Sequence, residues 1–297
     1  IIGVEIYMAK RRMQDKEPGI DDTRYHLGLL AKNEIGYKNI IKLVSMANTE
    51  GMYYKPRIDR ETLKEHSEGL ICLSGCLAGE LARNIIEDYE KGKEVAKWYK
   101  DVFGDDYYLE IQANGIEEQK LVNQKIVKLS KELDIPLVAT NDVHYTCRED
   151  VEAQDILICI QTGKKIDDED RMKIDVDTLY IKSPEEIKKE FANFPEALEN
   201  TVKIAEKCNF DFEFGNTKLP NFDTPNGEKH EEYLKQKTYE GIVKKYGENY
   251  VENKEIVDRI KGLFPYSLGF YNICKITKNT SRTTEEVLEQ AQLLHML

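Results

Sequence analysis

A short polar segment, Asn141-Asp142-Val143-His144, holds residues whose types and spacing suit metal chemistry. It directly follows an apolar run, 135–139, that is typical of a buried strand. If the extended backbone continues, Asp142 and His144 point to the same side of the chain. A carboxylate oxygen and an imidazole nitrogen would then converge, as Zn²⁺ or Mn²⁺ requires. The alternative is an aspartate that caps a turn, followed by a histidine on the surface.

Three more candidates lie in or beside predicted strands. His26 begins an apolar strand, where a histidine is more often structural than a ligand, and Glu5 lies either on a solvated face or in a polar pocket. Cys76 stands between a strand and a helix, where helix dipoles stabilise a thiolate, although simple packing is the commoner role. Because Glu5, Cys76, Asp142 and His144 all fall at or just beyond strands, the mouth of one barrel would gather them.

The elements that must position these residues alternate along the first part of the chain. Apolar runs rich in Ile, Val, Leu and Tyr alternate with segments of helical period, which predicts β/α units around a parallel sheet or barrel. The predicted strands are 2–8, 26–31, 70–73, 107–112 and 137–140. The predicted helices are one that begins near Asn33, then 77–89, 94–103, 117–133 and 149–160, with Gly92 and Gly104 at helix ends.

The pattern changes after about residue 178. A short strand, 179–181, precedes two helices at 185–191 and 196–208, and a segment rich in Pro and Asn-Gly at 219–227 resembles a linker. A charged helix, 228–246, follows. We therefore predict a first domain over 1–215 and a second, mostly helical region over 216–297.

Composition excludes several classes of protein. The chain has 297 residues and a net charge of −12, which argues against a basic-patch nucleic-acid binder. No apolar run approaches the roughly 18 residues of a membrane span, so we expect no membrane partner. The six cysteines lack the spacing of a disulfide framework, which favours reduced thiols and a cytoplasmic location. The first residues read Ile1-Ile2-Gly3 without an initiator Met, so we expect the natural start upstream.

The order of motifs resembles a known family, the PHP (polymerase and histidinol phosphatase) domain of bacterial replicative DNA polymerase III alpha subunits. The resemblance runs from residue 1 to about 260, and the segment after residue 260 departs from the pattern. The matching motifs are Gly3-Val4-Glu5-Ile6-Tyr7, the run 25–33, Tyr54-Lys55-Pro56-Arg57-Ile58-Asp59, Leu73-Ser74-Gly75-Cys76-Leu77 and Thr140-Asn141-Asp142-Val143-His144-Tyr145.

The resemblance implies a fold and a site. The fold would be α/β, a PHP-type distorted (β/α)7 barrel that is incomplete at its N-terminus because the first strand is missing, followed by a mostly helical extension. Its mouth would hold two or three divalent metals, Zn or Mn, and the family's ligands match Glu5, His26, Cys76, Asp142 and His144. Such metals polarise a phosphoryl oxygen and lower the pKa of a bound water, which implies phosphoester hydrolysis or a proofreading 3′–5′ exonuclease.

The resemblance also implies a larger protein. The full-length subunit would synthesise DNA on a template, with Mg at a polymerase site whose paired aspartates we do not find in this chain. Its partners would be DNA, dNTPs and replisome subunits such as the sliding clamp and a proofreading exonuclease. Two alternatives are a stand-alone phosphoesterase of the histidinol-phosphatase type and a non-catalytic scaffold module.

Overall fold

The computed structural model describes residues 1–215 and 222–258. Their contacts divide the chain into two compact units, Ile1–Asp211 and Phe212–Leu297. The tail predicted after residue 260, and part of the predicted linker, lie outside the described residues. Among the helices that the structure describes, none is both long and apolar enough to cross a membrane.

The first unit is built on a mixed sheet of seven strands. In pairing order the strands are β3-β4-β1-β2-β5-β6-β7. Their bounds are β1 (Gly3–Ala9), β2 (Arg24–Ala31), β3 (Met52–Tyr53), β4 (Lys55–Ile58), β5 (Leu70–Leu73), β6 (Tyr107–Gln112) and β7 (Leu137–Thr140). The α/β class is confirmed, whereas a barrel is not, because the pairing order of the described strands does not return from β7 to β3.

The expectation of a purely parallel sheet is wrong. Strand β2 runs antiparallel to both β1 and β5, whereas β1/β4, β5/β6 and β6/β7 are parallel. The segment between β1 and β2 contains no helix, so it does not form the crossover that a parallel pair requires. The carboxyl ends of the parallel strands β5, β6 and β7 still meet at one edge, as the sequence predicted for the candidate site.

Eight α-helices accompany the strands in the described part of the first unit. They are α1 (Glu34–Thr49), α2 (Arg60–Glu65), α3 (Glu80–Glu87), α4 (Tyr89–Phe103), α5 (Glu117–Leu133), α6 (Val151–Thr162), α7 (Pro184–Glu190) and α8 (Pro195–Lys207). Asn33 caps α1 as predicted, since its side chain accepts a hydrogen bond from the Gly36 amide. In the second unit, the described residues form α9 (His230–Tyr246) and a short 3-10 turn, Glu248–Glu252.

Several predicted elements and boundaries differ from the structure. The helix predicted over 77–89 ends at Glu87, because Asp88 caps a new helix, α4, by accepting hydrogen bonds from the amides of Glu90 and Lys91. Gly92 was expected to end a helix but lies inside α4. A Cβ atom at this position would lie 2.6 Å from Cβ of Ile85, so a larger residue would collide there. The strand predicted over 179–181 is reduced to a single bridge between Tyr145 and Tyr180.

The packing of the core determines which faces of the strands stay accessible to a substrate. Strand β2 alternates, with Tyr25, Leu27, Leu29 and Ala31 buried in the main apolar cluster and His26 on the opposite face. Strand β6 is buried along its whole length, because both of its faces are covered. A polar side chain on β6 is therefore enclosed, whereas one on the outer face of β2 stays accessible.

One buried cation anchors the loop between β1 and β2. The Arg57 side chain on β4 belongs to a residue only 1% exposed. Its guanidinium donates to the backbone carbonyls of Asp21 at 2.7 Å, Asp15 at 3.1 Å and Met13 at 3.2 Å. It also lies 5.0 Å from the ring centroid of Tyr53. A charged group buried against carbonyl oxygens ties this loop to the sheet.

Replacing Arg57 with Met should lower the free energy of unfolding by about 3 kcal/mol, because three backbone carbonyls, two of them in buried bonds, lose their charged donor. Urea denaturation followed by circular dichroism measures the change. The matched control is Arg83→Met on exposed α3 surface, which should stay within about 0.5 kcal/mol of wild type. Equal stability for the two variants would contradict the anchoring role.

Asp21 should make stability depend on pH. Arg11 donates to both of its carboxylate oxygens, at 2.9 and 2.6 Å, and holds the pKa of Asp21 at about 2, below its ordinary value of 3.8. A pKa that is lower in the folded state stabilises the fold above about pH 4, and this contribution is lost as the pH falls toward 2. Asp21→Asn should therefore flatten the loss of unfolding free energy between pH 5 and pH 3, whereas Asp101→Asn, at an exposed position, should not. The same acid dependence in both variants would refute this assignment.

Candidate metal centre

The first part of the site lies across strands β1 and β2. Their antiparallel register places Tyr7 opposite His26, so Glu5 is the diagonal neighbour on the same face. The Oε1 atom of Glu5 lies 3.1 Å from Nδ1 of His26. The Tyr7 ring meets the imidazole edge-on, with 5.1 Å between centroids. Sheet register therefore brings an acid and an imidazole into direct contact.

Cys76 reaches the same imidazole from the segment that follows β5. Its Sγ atom lies 3.6 Å from Nδ1 of His26. The backbone of the segment 74–79 passes close to β2, since the His26 amide donates to the carbonyl of Ala78 at 3.1 Å. Gly75 has φ +83°, and a Cβ there would lie 2.7 Å from the His26 carbonyl oxygen. Only glycine permits this approach, which is what places the thiol beside the ring.

These contacts change the acidity of His26. Hydrogen bonding to Cys76, and then to Glu5, raises the pKa of His26 to about 10, and burial opposes the shift. The ring is thus stabilised as a cation between a thiol and a carboxylate. Two electron-rich donors facing one nitrogen are also the surroundings in which a metal cation would be stabilised.

Asp142 and His144 form a second contact, by a different route from the one predicted. The backbone does not continue as a strand beyond β7, because Asp142 adopts φ +51° in the left-handed region. The segment turns there and is held by the carbonyl of Leu179, which accepts from the His144 amide at 2.8 Å, and by that of Tyr180, which accepts from the Asn141 side chain at 2.5 Å. The turn leaves Oδ1 of Asp142 3.4 Å from Nε2 of His144.

The two contacts share one electrostatic environment. Hydrogen bonding to Asp142 raises the pKa of His144 and the negative charge of Glu5 raises it further, while burial and the charge of His26 oppose the rise. Within the part of the chain that the structure describes, no three or more His, Cys, Asp or Glu side chains are arranged around a single metal position. The structure brings Glu5 and Cys76 into contact with His26, and Asp142 into contact with His144, but it does not gather these five described residues around one position.

The donor set fits a divalent metal by its chemistry. It offers two imidazole nitrogens, two carboxylate oxygens and one thiol, all partly accessible. Nitrogen, oxygen and sulfur together suit Zn²⁺, whereas a thiol is a poor partner for Mg²⁺.

Sequence reasoning missed one residue that borders the site. Glu110, on β6, is 8% exposed, and burial raises the pKa of its carboxyl, as do the negative charges of Asp142 and Glu5, while hydrogen bonds from Thr140 and Gly75 oppose the rise. The signal was available, because Glu110 is an acid inside an otherwise apolar strand between β5 and β7. The segments that follow β5 and β7 carry predicted ligands, so an acid on the strand between them was a further candidate for the site.

The chain resembles known proteins along most of its length. The family described as PHP domain matches residues 1–114, a range that includes Glu5, His26 and Cys76. A DNA polymerase III subunit alpha from Borreliella burgdorferi is 47% identical over 273 residues, covering 91% of this chain and 23% of the relative. The subunits of Campylobacter jejuni and Thermus aquaticus are 46% and 39% identical, over 75% and 89% of this chain and 19% and 22% of their own length.

The chain thus spans about a fifth of the length of the curated relatives that it matches. The aligned stretches of 273, 234 and 280 residues are each more than twice as long as the PHP match. Over most of its length, the chain is therefore homologous to part of the DNA polymerase III alpha subunits.

Proposed function

We propose that this chain supplies the PHP domain, residues 1–215, of a DNA polymerase III alpha subunit, and that the domain binds divalent metal. The ligands would be Glu5, His26, Cys76, Asp142 and His144. The observation that carries the proposal is the approach of Glu5 and Cys76, from different elements, to the same nitrogen of His26. Sheet register and the close approach of Gly75 bring a strand residue and a loop thiol to one nitrogen, and a shared ligand role would account for this arrangement.

The chemistry proposed for this site is hydrolysis of a phosphoester. Bound metal would polarise a phosphoryl oxygen and activate water, as in a proofreading 3′–5′ exonuclease. The chain itself contributes an accessible cluster at the sheet edge, where His144 and Glu5 remain partly exposed to an incoming substrate. In the complete domain, the mixed sheet would form part of a distorted (β/α)7 barrel whose mouth holds this cluster.

The activity of the whole protein is a further part of the proposal. The relatives carry the name DNA polymerase III subunit alpha, so the complete protein would extend DNA on a template with dNTPs and Mg²⁺. Region 216–297 would lead toward that polymerase part. Replisome subunits such as a sliding clamp and a proofreading exonuclease would be its partners in the cytoplasm.

Elemental analysis tests the metal site. In the complete protein that carries this chain, we expect Zn or Mn at stoichiometric levels after dialysis. The variant His26→Ala should lower the bound metal at least tenfold, because it removes the ring that two other ligands contact. The double variant Asp142→Ala/His144→Ala should also empty the site.

A histidine outside the site provides the control for that experiment. His230 is exposed at the start of α9, and His230→Ala should keep the wild-type metal content. If His26→Ala and His230→Ala retain equal metal, the ligand assignment is wrong. A wild-type protein without bound metal would instead favour the scaffold alternative.

Primer extension tests the assignment of DNA synthesis to the rest of the protein. We expect the 297-residue chain alone to add no nucleotide to a primed template with dNTPs and Mg²⁺, because we find no paired catalytic aspartates of a polymerase in its sequence. The complete protein should extend the same primer. Gel analysis of a labelled primer measures the difference, and extension by the chain alone would overturn this part of the proposal.

A further inference from the structure

Glu110 is bonded to both segments that carry ligands at the edge of the sheet. One carboxylate oxygen, Oε1, accepts from the hydroxyl of Thr140 at 2.8 Å, and the other accepts from the amide of Gly75. Its own backbone amide donates to the hydroxyl of Ser74 at 2.9 Å. The residue thus contacts the chain that follows β5 and the end of β7 from the strand between them.

The bonded groups lie next to proposed ligands in sequence. Gly75 immediately precedes Cys76, and Thr140 is two residues before Asp142. The register explains why one side chain reaches both, since Tyr108 pairs with Leu73 and Gln112 pairs with Thr140. In this parallel arrangement, Glu110 lies between the ends of β5 and β7, although it is none of the predicted ligands.

The segment that carries Cys76 is held between strands β2 and β6. On one side, Gly75 approaches the His26 carbonyl, and on the other its amide bonds to the Glu110 carboxylate. Gly79 closes the segment by donating to the Cys76 carbonyl at 2.8 Å. Loss of the Glu110 bond would leave a partly buried amide unpaired and release the backbone that sets the position of the thiol.

We propose that Glu110 is a positioning residue of the metal site, whose carboxylate fixes Cys76 through Gly75 and Asp142 through Thr140. This inference rests on the proposed metal function. It adds that the geometry of the ligands depends on an enclosed hydrogen-bond acceptor on β6. The role is to hold the segments in place, so an isosteric acceptor should serve in place of the carboxylate.

A Co²⁺ titration of the complete protein measures this role without any activity assay. Thiolate coordination gives Co²⁺ an intense charge-transfer band in the near ultraviolet, so the band reports Cys76. Wild type should show the band, and Cys76→Ser should lose it. Glu110→Ala should weaken Co²⁺ binding about 10- to 100-fold and diminish the band, because an outer partner of the ligands is lost.

The conservative variant separates hydrogen bonding from charge. In Glu110→Gln, the amide oxygen can accept from Gly75 while the NH₂ group donates to the hydroxyl oxygen of Thr140. This variant should therefore keep the wild-type band and affinity. Thr140→Val preserves shape and removes one bond, and it should weaken Co²⁺ binding even if Glu110→Ala fails to fold.

Asp59 supplies the matched control. It is 7% exposed and accepts from the amides of Met13 at 3.0 Å and Thr62 at 2.9 Å, so it is a second enclosed carboxylate that bonds to backbone. Asp59→Ala should reduce stability without changing the Co²⁺ band. Equal weakening by Asp59→Ala and Glu110→Ala would show that general destabilisation is responsible and would overturn the proposal.

The remaining outcomes also decide between the two proposals. If wild type binds Co²⁺ and Cys76→Ser loses the band while Glu110→Ala keeps it, the positioning role is wrong and the metal site stands. If Glu110→Gln weakens binding as much as Glu110→Ala, charge is required and the positioning role is wrong. If wild type binds no Co²⁺, both proposals fail.

Discussion

The site depends on the passage of one glycine between two strands. Gly75 lies against the backbone of His26 on β2 and bonds to the carboxylate of Glu110 on β6. A side chain at this point would collide with the His26 carbonyl, and a positive φ is required as well. Cys76 follows directly, so the approach of backbone to backbone determines where its thiol lies. The antiparallel pairing of β1 and β2 then adds Glu5 from the other side.

Much of the fold could be predicted from the sequence, because local pattern and structure agree there. Strands β5, β6 and β7 have the predicted bounds, and α5 follows its 3.6-residue apolar period. Strand β4 was missed, since Lys55-Pro56-Arg57-Ile58 contains two cations and a proline. Besides its pairing with β1 and β3, it is held by Arg57, which bonds to the carbonyls of a loop about 40 positions away, and no local pattern contains such long-range interactions.

The candidate site could be predicted as a set of residues but not as a geometry. Glu5, His26 and Cys76 do meet, although no local rule specifies that they meet at Nδ1. Asp142 and His144 meet because a turn replaces the expected strand, and that turn exists because the chain near Leu179 supplies carbonyl partners. The period-two argument thus gave the correct neighbours for the wrong physical reason.

One face of strand β2 packs in the core and the other carries a candidate ligand, whereas Glu110 on β6 is an exception to this division. On β2, Leu27 and Leu29 fill the core while His26 faces away from it, so a change at His26 creates no core cavity. Glu110 differs, because β6 is enclosed on both faces and its carboxylate serves the ligand segments from inside the protein. Removing it alters both the packing of the sheet and the position of Cys76. An isosteric amide preserves the shape and the hydrogen bonds, and it is therefore the change that isolates the charge from the geometry.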